Sequence, residues 1–174
     1  MSKYIPTLIV LIAIGLLYTK LSKIEAQLFT LMPAEEVGRL NNHTYMYVPK
    51  ALRWDDAKKY AELLGGHLVT FQSEEENKFV YNLARKGGSD TSVWIGLTDA
   101  GHEGRWTWVT GEALDYVNWE RKPNGGKGQN YADIGFGKTE RWNDAENDGL
   151  HPFVVEYEHP DKRRSSEGAE TPKP

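Results

Sequence analysis

The sequence predicts an α+β domain. Two amphipathic helical stretches occupy its first half, and short β-prone runs separated by Gly, Asn, Asp and Pro fill its second half. Six tryptophans, at positions 54, 94, 106, 108, 119 and 142, supply large side chains for a dense core in a small domain.

The elements follow in chain order. "HTYMYV" (43–48) reads as a strand. From Trp54 to Leu64, Trp54, Ala57, Ala61 and Leu64 fall on one helical face, and Gly65-Gly66 supplies the stop. "HLVTF" (67–71) is short and β-prone. "SEEE" from Ser73 to Glu76 fits a capping box, with Ser73 and Glu76 each taking the other's amide hydrogen. Phe79, Val80, Leu83 and Ala84 form the buried face of this second helix, which Gly87-Gly88 ends. Strands are expected at "VWIGL" (93–97), "RWTWV" (105–109), "YADIGF" (131–136), "ERW" (140–142) and "PFVVEYE" (152–158). Residues 111–130 form a long connection without a strand signal, and loops of that length in compact domains are commonly functional.

Outside the folded unit, predicted as 41–158, the chain changes character. Lys3 precedes an uncharged, mostly apolar run from Ile5 to Tyr18, so residues 1–26 read as a secretory signal or as an uncleaved membrane anchor. The run is short for a span, and the cleavage candidate "IEA" ending at Ala26 is poor; both readings stay open, with a buried helix as a third. The first two make the domain an exported one: secreted, periplasmic or membrane-anchored. Residues 27–40 read as a linker. Residues 159–174 are rich in Pro, Ser and charge and carry no large apolar side chain, so they read as a disordered tail.

Composition excludes several functions. A net charge of −4 with no basic face argues against nucleic acid, and the Lys162-Arg163-Arg164 cluster lies in the tail. With no cysteine there is no disulfide framework, thiolate zinc site or cysteine nucleophile. The five histidines show no metal-ligand spacing. No catalytic constellation can be argued from residue order, so the expectation is a binding protein and not an enzyme.

Taken together, "WDDAKKYAELLGGHLVTFQSEEENKFV", "WIGLTD", "GRWTWVTGE", "VNWERKPN", "WND" and "PFVVEYE" resemble a C-type lectin-like domain over about residues 43–158. The resemblance implies two helices, small antiparallel sheets and a long loop region. It also implies a single domain of the disulfide-free type familiar among bacterial members. Tyr60 with Val155, and Tyr131 with Asn147, stand where the family's disulfides would be. Trp94, Gly96, Trp142 and Pro123 take structural roles, with Pro123 in the place of a proline that the family often holds cis.

In sugar-binding members, the resemblance implies, a calcium ion on the long loop accepts two sugar hydroxyls. Asn124, Asn143 and Asp144 match its ligands, and Gln129 falls where a further Glu would stand. These four are the expected metal ligands, and with Lys122 and Trp119 they make the expected ligand-binding set. Lys122 replaces the first acidic or amide residue. An ammonium has no lone pair, so Lys122 cannot ligate calcium, and Gln129 offers an oxygen without charge. Calcium affinity follows ligand charge. The expectation is therefore carbohydrate binding with weak or absent calcium dependence. The alternative is a calcium-independent module that binds protein through the long loop. Glu120 and the acidic "DAEND" (144–148) are nearby oxygen sources.

Overall fold

The computed structural model describes residues 36–123, 128–146 and 148–158. The expected signal or anchor segment and the tail lie outside the described residues. No helix among the described residues is long and apolar enough to cross a membrane.

Strand β1 (Glu36–Leu40) pairs antiparallel with β2 (His43–Leu52). Asn41 turns the chain between them with φ 52, a left-handed conformation that asparagine tolerates. The end of the predicted linker is thus an edge strand. Its signal is weak because Gly38 breaks the apolar alternation, yet glycine is required there: a Cβ would lie 2.7 Å from Phe79 Cζ.

Helix α1 spans Trp54–Leu63, and Gly65, at φ 81, ends it as expected. After β3 (His67–Leu68) comes helix α2 (Glu74–Lys86), with Gly88 at φ 90 just beyond it. Ser73 Oγ accepts from Glu76 N at 3.2 Å, as the capping box requires. The reciprocal half differs: Glu76 Oε2 accepts from Gln72 N at 2.8 Å, and Glu76 Oε1 from the Tyr45 hydroxyl at 2.5 Å. A buried tyrosine donor turns the Glu76 carboxylate inward.

The remaining strands are β4 (Val93–Thr98), β5 (Thr107–Trp108), β6 (Tyr131–Ile134), β7 (Trp142–Ala145) and β8 (His151–Glu158). "RWTWV" shrinks to two residues, and "ERW" contributes only the first residue of β7. "YADIGF" stops at Ile134 because Gly135, at φ 100, turns the chain into a short 3-10 segment, Phe136–Lys138. The main sheet runs β1-β2-β8-β4-β6-β7, with β3 on β8 and β5 on β4. The expected small antiparallel sheets are one mixed sheet: β4 and β8 run parallel where Trp94 meets Phe153.

Alternation along the strands builds two cores. In β4, Val93, Ile95 and Leu97 join Phe71, Val80, Trp108 and Trp142 in one, while Trp94 joins Trp54, Ala57, Ala61, Phe153 and Val155 in the other. A central strand buried on both faces reads as the continuous apolar run seen in its sequence. The second core also fills the positions where the resemblance places disulfides. Tyr60 meets Phe153 edge-on at 5.6 Å and packs against the cluster holding Val155, while Tyr131 lies 4.6 Å from Trp54. Asn147 lies outside the described residues.

Candidate functional site

Trp142 begins the site. Its indole is fully buried and donates Nε1–H to Asn77 Oδ1 at 2.6 Å. Its backbone holds the long loop: Trp142 N donates to Asn118 O at 2.9 Å, and Glu120 N donates to Trp142 O at 2.8 Å. Trp119 stacks into the same aromatic group, 4.8 Å from Trp106 and 5.5 Å from Trp142. The loop thus returns to the sheet beside Asn143 and Asp144.

Lys122, Gln129, Asn143 and Asp144 line one cavity of about 490 Å³. Trp119 and Pro123 line a neighbouring cavity of about 370 Å³, which shares Lys122 with the first. Asn124 lies outside the described residues. The Lys122–Pro123 peptide is trans, unlike the cis form common in the family. For X–Pro bonds trans is intrinsically favoured by about 0.5–1 kcal/mol. Trp94 and Gly96 are wholly inside the fold; Trp94 donates Nε1–H to Leu52 O at 2.8 Å. Glu120 lines a third cavity with Asn143 and Phe136, and Glu146 lines the first.

Three residues of the first cavity carried no functional signal in the sequence. Asp133, opposite Asn143 in the β6–β7 register, is 2% exposed. Burial pushes its carboxyl up to about 7, against hydrogen bonds from Ser92 and Asn143, and the Asp144 charge adds to the rise. Phe136 stands 57% exposed at the cavity, carried by the turn between Gly135 and Gly137. His151 packs edge-on against Trp94 at 4.4 Å, and burial lowers its pKa. A charged residue between apolar neighbours in "YADIGF" was the one available hint of Asp133.

A second polar group lies across the sheet. The ligand atoms of His43, Glu76 and Glu156 lie within 4.8 Å of one another. His43 Nδ1 pairs with Glu156 Oε1, and Thr70 N donates to Glu156 Oε2 at 2.9 Å. Burial lowers the His43 pKa, but the Glu156 carboxylate more than offsets it and the net shift is upward. Burial raises Glu156. The two directions agree on an ion pair between moderately acid pH and the raised His43 value. Protein donors already engage both carboxylates, so the group reads as a structural brace. These histidine and glutamate positions escaped the spacing analysis because 113 residues separate His43 from Glu156.

Domains of the family that the sequence resembles commonly bind calcium. The expected ligands that are described do not by themselves make such a site, although Asp133 and Glu146 also line the cavity. Arg121 and Lys122 line the same cavity as Asn143 and Asp144. Of the expected ligands that are described, only Asp144 carries charge, and hard divalent ions need six to eight oxygens.

The fold is that of a lectin-type binding domain. The family model "Lectin C-type domain" matches residues 50–157, and the chain belongs to the C-type lectin domain family. A lectin from Pleurodeles waltl is 33% identical over 124 residues, covering 68% of this chain and 72% of that protein. The mouse scavenger receptor C-type lectin carbohydrate-recognition domain superposes with a TM-score of 0.64 at 28% identity, covering 72% of this chain and 95% of that one. The cow CD23 carbohydrate-recognition domain, solved in the presence of a GlcNAc2Man3 oligosaccharide, gives 0.62 at 30% identity, covering 74% and 98%. The protein is thus a non-enzymatic binding module of the C-type lectin type.

Proposed function

We propose that this domain is a carbohydrate-binding module that works outside the cytoplasm with weak or absent calcium dependence. The observation that carries the reading is the single cavity shared by Lys122, Gln129, Asn143 and Asp144, in which an ammonium stands where the family presents an acid or amide to the ion. Lys122 donates hydrogen bonds to sugar hydroxyls, while Asn143, Gln129 and Asp144 accept or donate around the ring. The relatives named for carbohydrate recognition support the ligand class.

A glycan array probed with and without chelator tests the proposal. Binding that survives chelator is the expected result; binding lost with chelator restores calcium. A silent array together with capture of a protein ligand favours the second reading, a calcium-independent protein-binding module. Val117, 55% exposed on the long loop, supports that alternative. Export is tested by fractionation, since either a cleaved signal or an uncleaved anchor in residues 1–26 removes the product from the cytosol.

A further inference from the structure

The first cavity holds a buried acid without a cation. Asp133 lines it at 2% exposure, and its Oδ1 accepts no hydrogen bond among the described residues. Ser92 and Asn143 satisfy part of the carboxylate, both as neutral donors. No ion pair among the described residues reaches Asp133. A buried carboxylate is costly unless a charged donor meets it.

The one buried charged group among the described residues lining the cavity is Asp133; Asp144 is half-buried, and Glu146 is exposed. Asp133, Asp144 and Glu146 line it against Arg121 and Lys122. Both of those cations are exposed, so water and salt screen them, while the buried carboxylate is screened far less. A ligand hydroxyl would give Asp133 a hydrogen bond but no charge. A ligand ammonium would give both, and charge-assisted bonds are about twice as strong as neutral ones. Phe136 adds an exposed aromatic face at the same cavity, suited to the apolar face of a sugar ring.

We propose that this cavity takes an amino sugar, with its protonated amine on the Asp133 carboxylate and its ring against Phe136. The ligand class rests on the carbohydrate-binding reading; the anchor rests on Asp133. Binding of an ammonium here needs no metal.

The test compares glucosamine, N-acetylglucosamine and glucose at one pH near neutrality, by calorimetric titration of the full chain and of Asp133→Asn. The expected result is glucosamine bound at least tenfold more tightly than the two neutral sugars, with that preference lost in the variant. Carboxyl-carbon NMR of the unmutated protein gives a second readout: the Asp133 signal should move with glucosamine and not with glucose. Equal affinity for the three sugars, a preference that survives Asp133→Asn, or an unmoved Asp133 signal overturns the proposal. An array that binds neutral glycans while glucosamine shows no preference removes the amine anchor and leaves the carbohydrate reading standing. A glucosamine preference on a protein whose array is silent keeps the anchor and removes the glycan reading.

Discussion

Trp142 Nε1 donates to Asn77 Oδ1 at 2.6 Å, joining strand β7 to helix α2 through a bond that is wholly buried. The same amide donates Nδ2–H to Glu140 O at 2.9 Å, just before β7 begins. One side chain therefore sets the strand that presents Asn143 and Asp144. Asn77→Leu would strand the indole N–H at a cost of about 1–3 kcal/mol, while the Glu140 carbonyl keeps its hydrogen bond from Asn118 Nδ2 at 2.9 Å. Urea denaturation should show the loss, and ligand affinity should fall with it because the start of β7 loses its tether.

Much of this architecture was legible in local signals, and the rest depended on distant partners. The helix stops at Gly65 and Gly88 follow from the left-handed backbone they adopt, and Ser73 from the unsatisfied amides of a helix start. The run "VWIGL" gave β4. β1 was hidden because its pairing is supplied by β2, not by its own alternation. Glu76 misled because Tyr45, 31 residues away, takes its carboxylate. At the site, Lys122, Gln129, Asn143 and Asp144 could be named from motif positions. Asp133 and Phe136 could not, since burial and a glycine turn give them their roles.

Gly96 tests the close approach of chains around β4. A Cβ there would lie 2.6 Å from Leu68 O and 2.8 Å from Val109 Cγ2. The backbone on either side is fixed: Gly96 N donates to Val69 O and Gly96 O accepts from Val109 N, both at 2.8 Å. Gly96→Ala should cost about 1–3 kcal/mol in thermal or urea unfolding. Gly101→Ala, with no atom within 4 Å of the added carbon, should cost much less.

Asp133 gives stability a pH dependence of known sign. Its carboxyl is raised from 3.8 to about 7 by burial, so the fold favours the protonated form. That contribution is complete below pH 3.8 and is lost as pH rises through about 7. The displacement corresponds to about 4 kcal/mol at most. Without ligand, Asp133→Asn should therefore melt at a higher temperature than the parent at pH 8, and the gap should close toward pH 4. A gap that does not change with pH would contradict the burial of an ionisable, unpaired carboxylate.

Lys122→Glu reverses the charge at the position where the family places an ion ligand. It adds a carboxylate to a cavity already lined by Asp133, Asp144 and Glu146 and removes a cation from it. Calcium affinity measured by calorimetry should rise at least tenfold, because carboxylate count is a main determinant of such sites. No gain would mean that the loop, with its trans Pro123, holds residue 122 away from Asn143 and Asp144.

Phe136 separates ligand contact from folding. It is 57% exposed, and its turn is shaped by Gly135 and Gly137, not by its ring. Removing the ring takes apolar surface from water and breaks no hydrogen bond made by the side chain, so Phe136→Ala should leave the melting temperature nearly unchanged. If the ring is a platform for a sugar, the same change should weaken binding by about 0.5–1.5 kcal/mol, roughly two- to twelvefold in Kd. Unchanged affinity on unchanged stability would confine the ligand to the polar wall of the cavity. A large fall in stability would instead place Phe136 in the support of the β6–β7 turn.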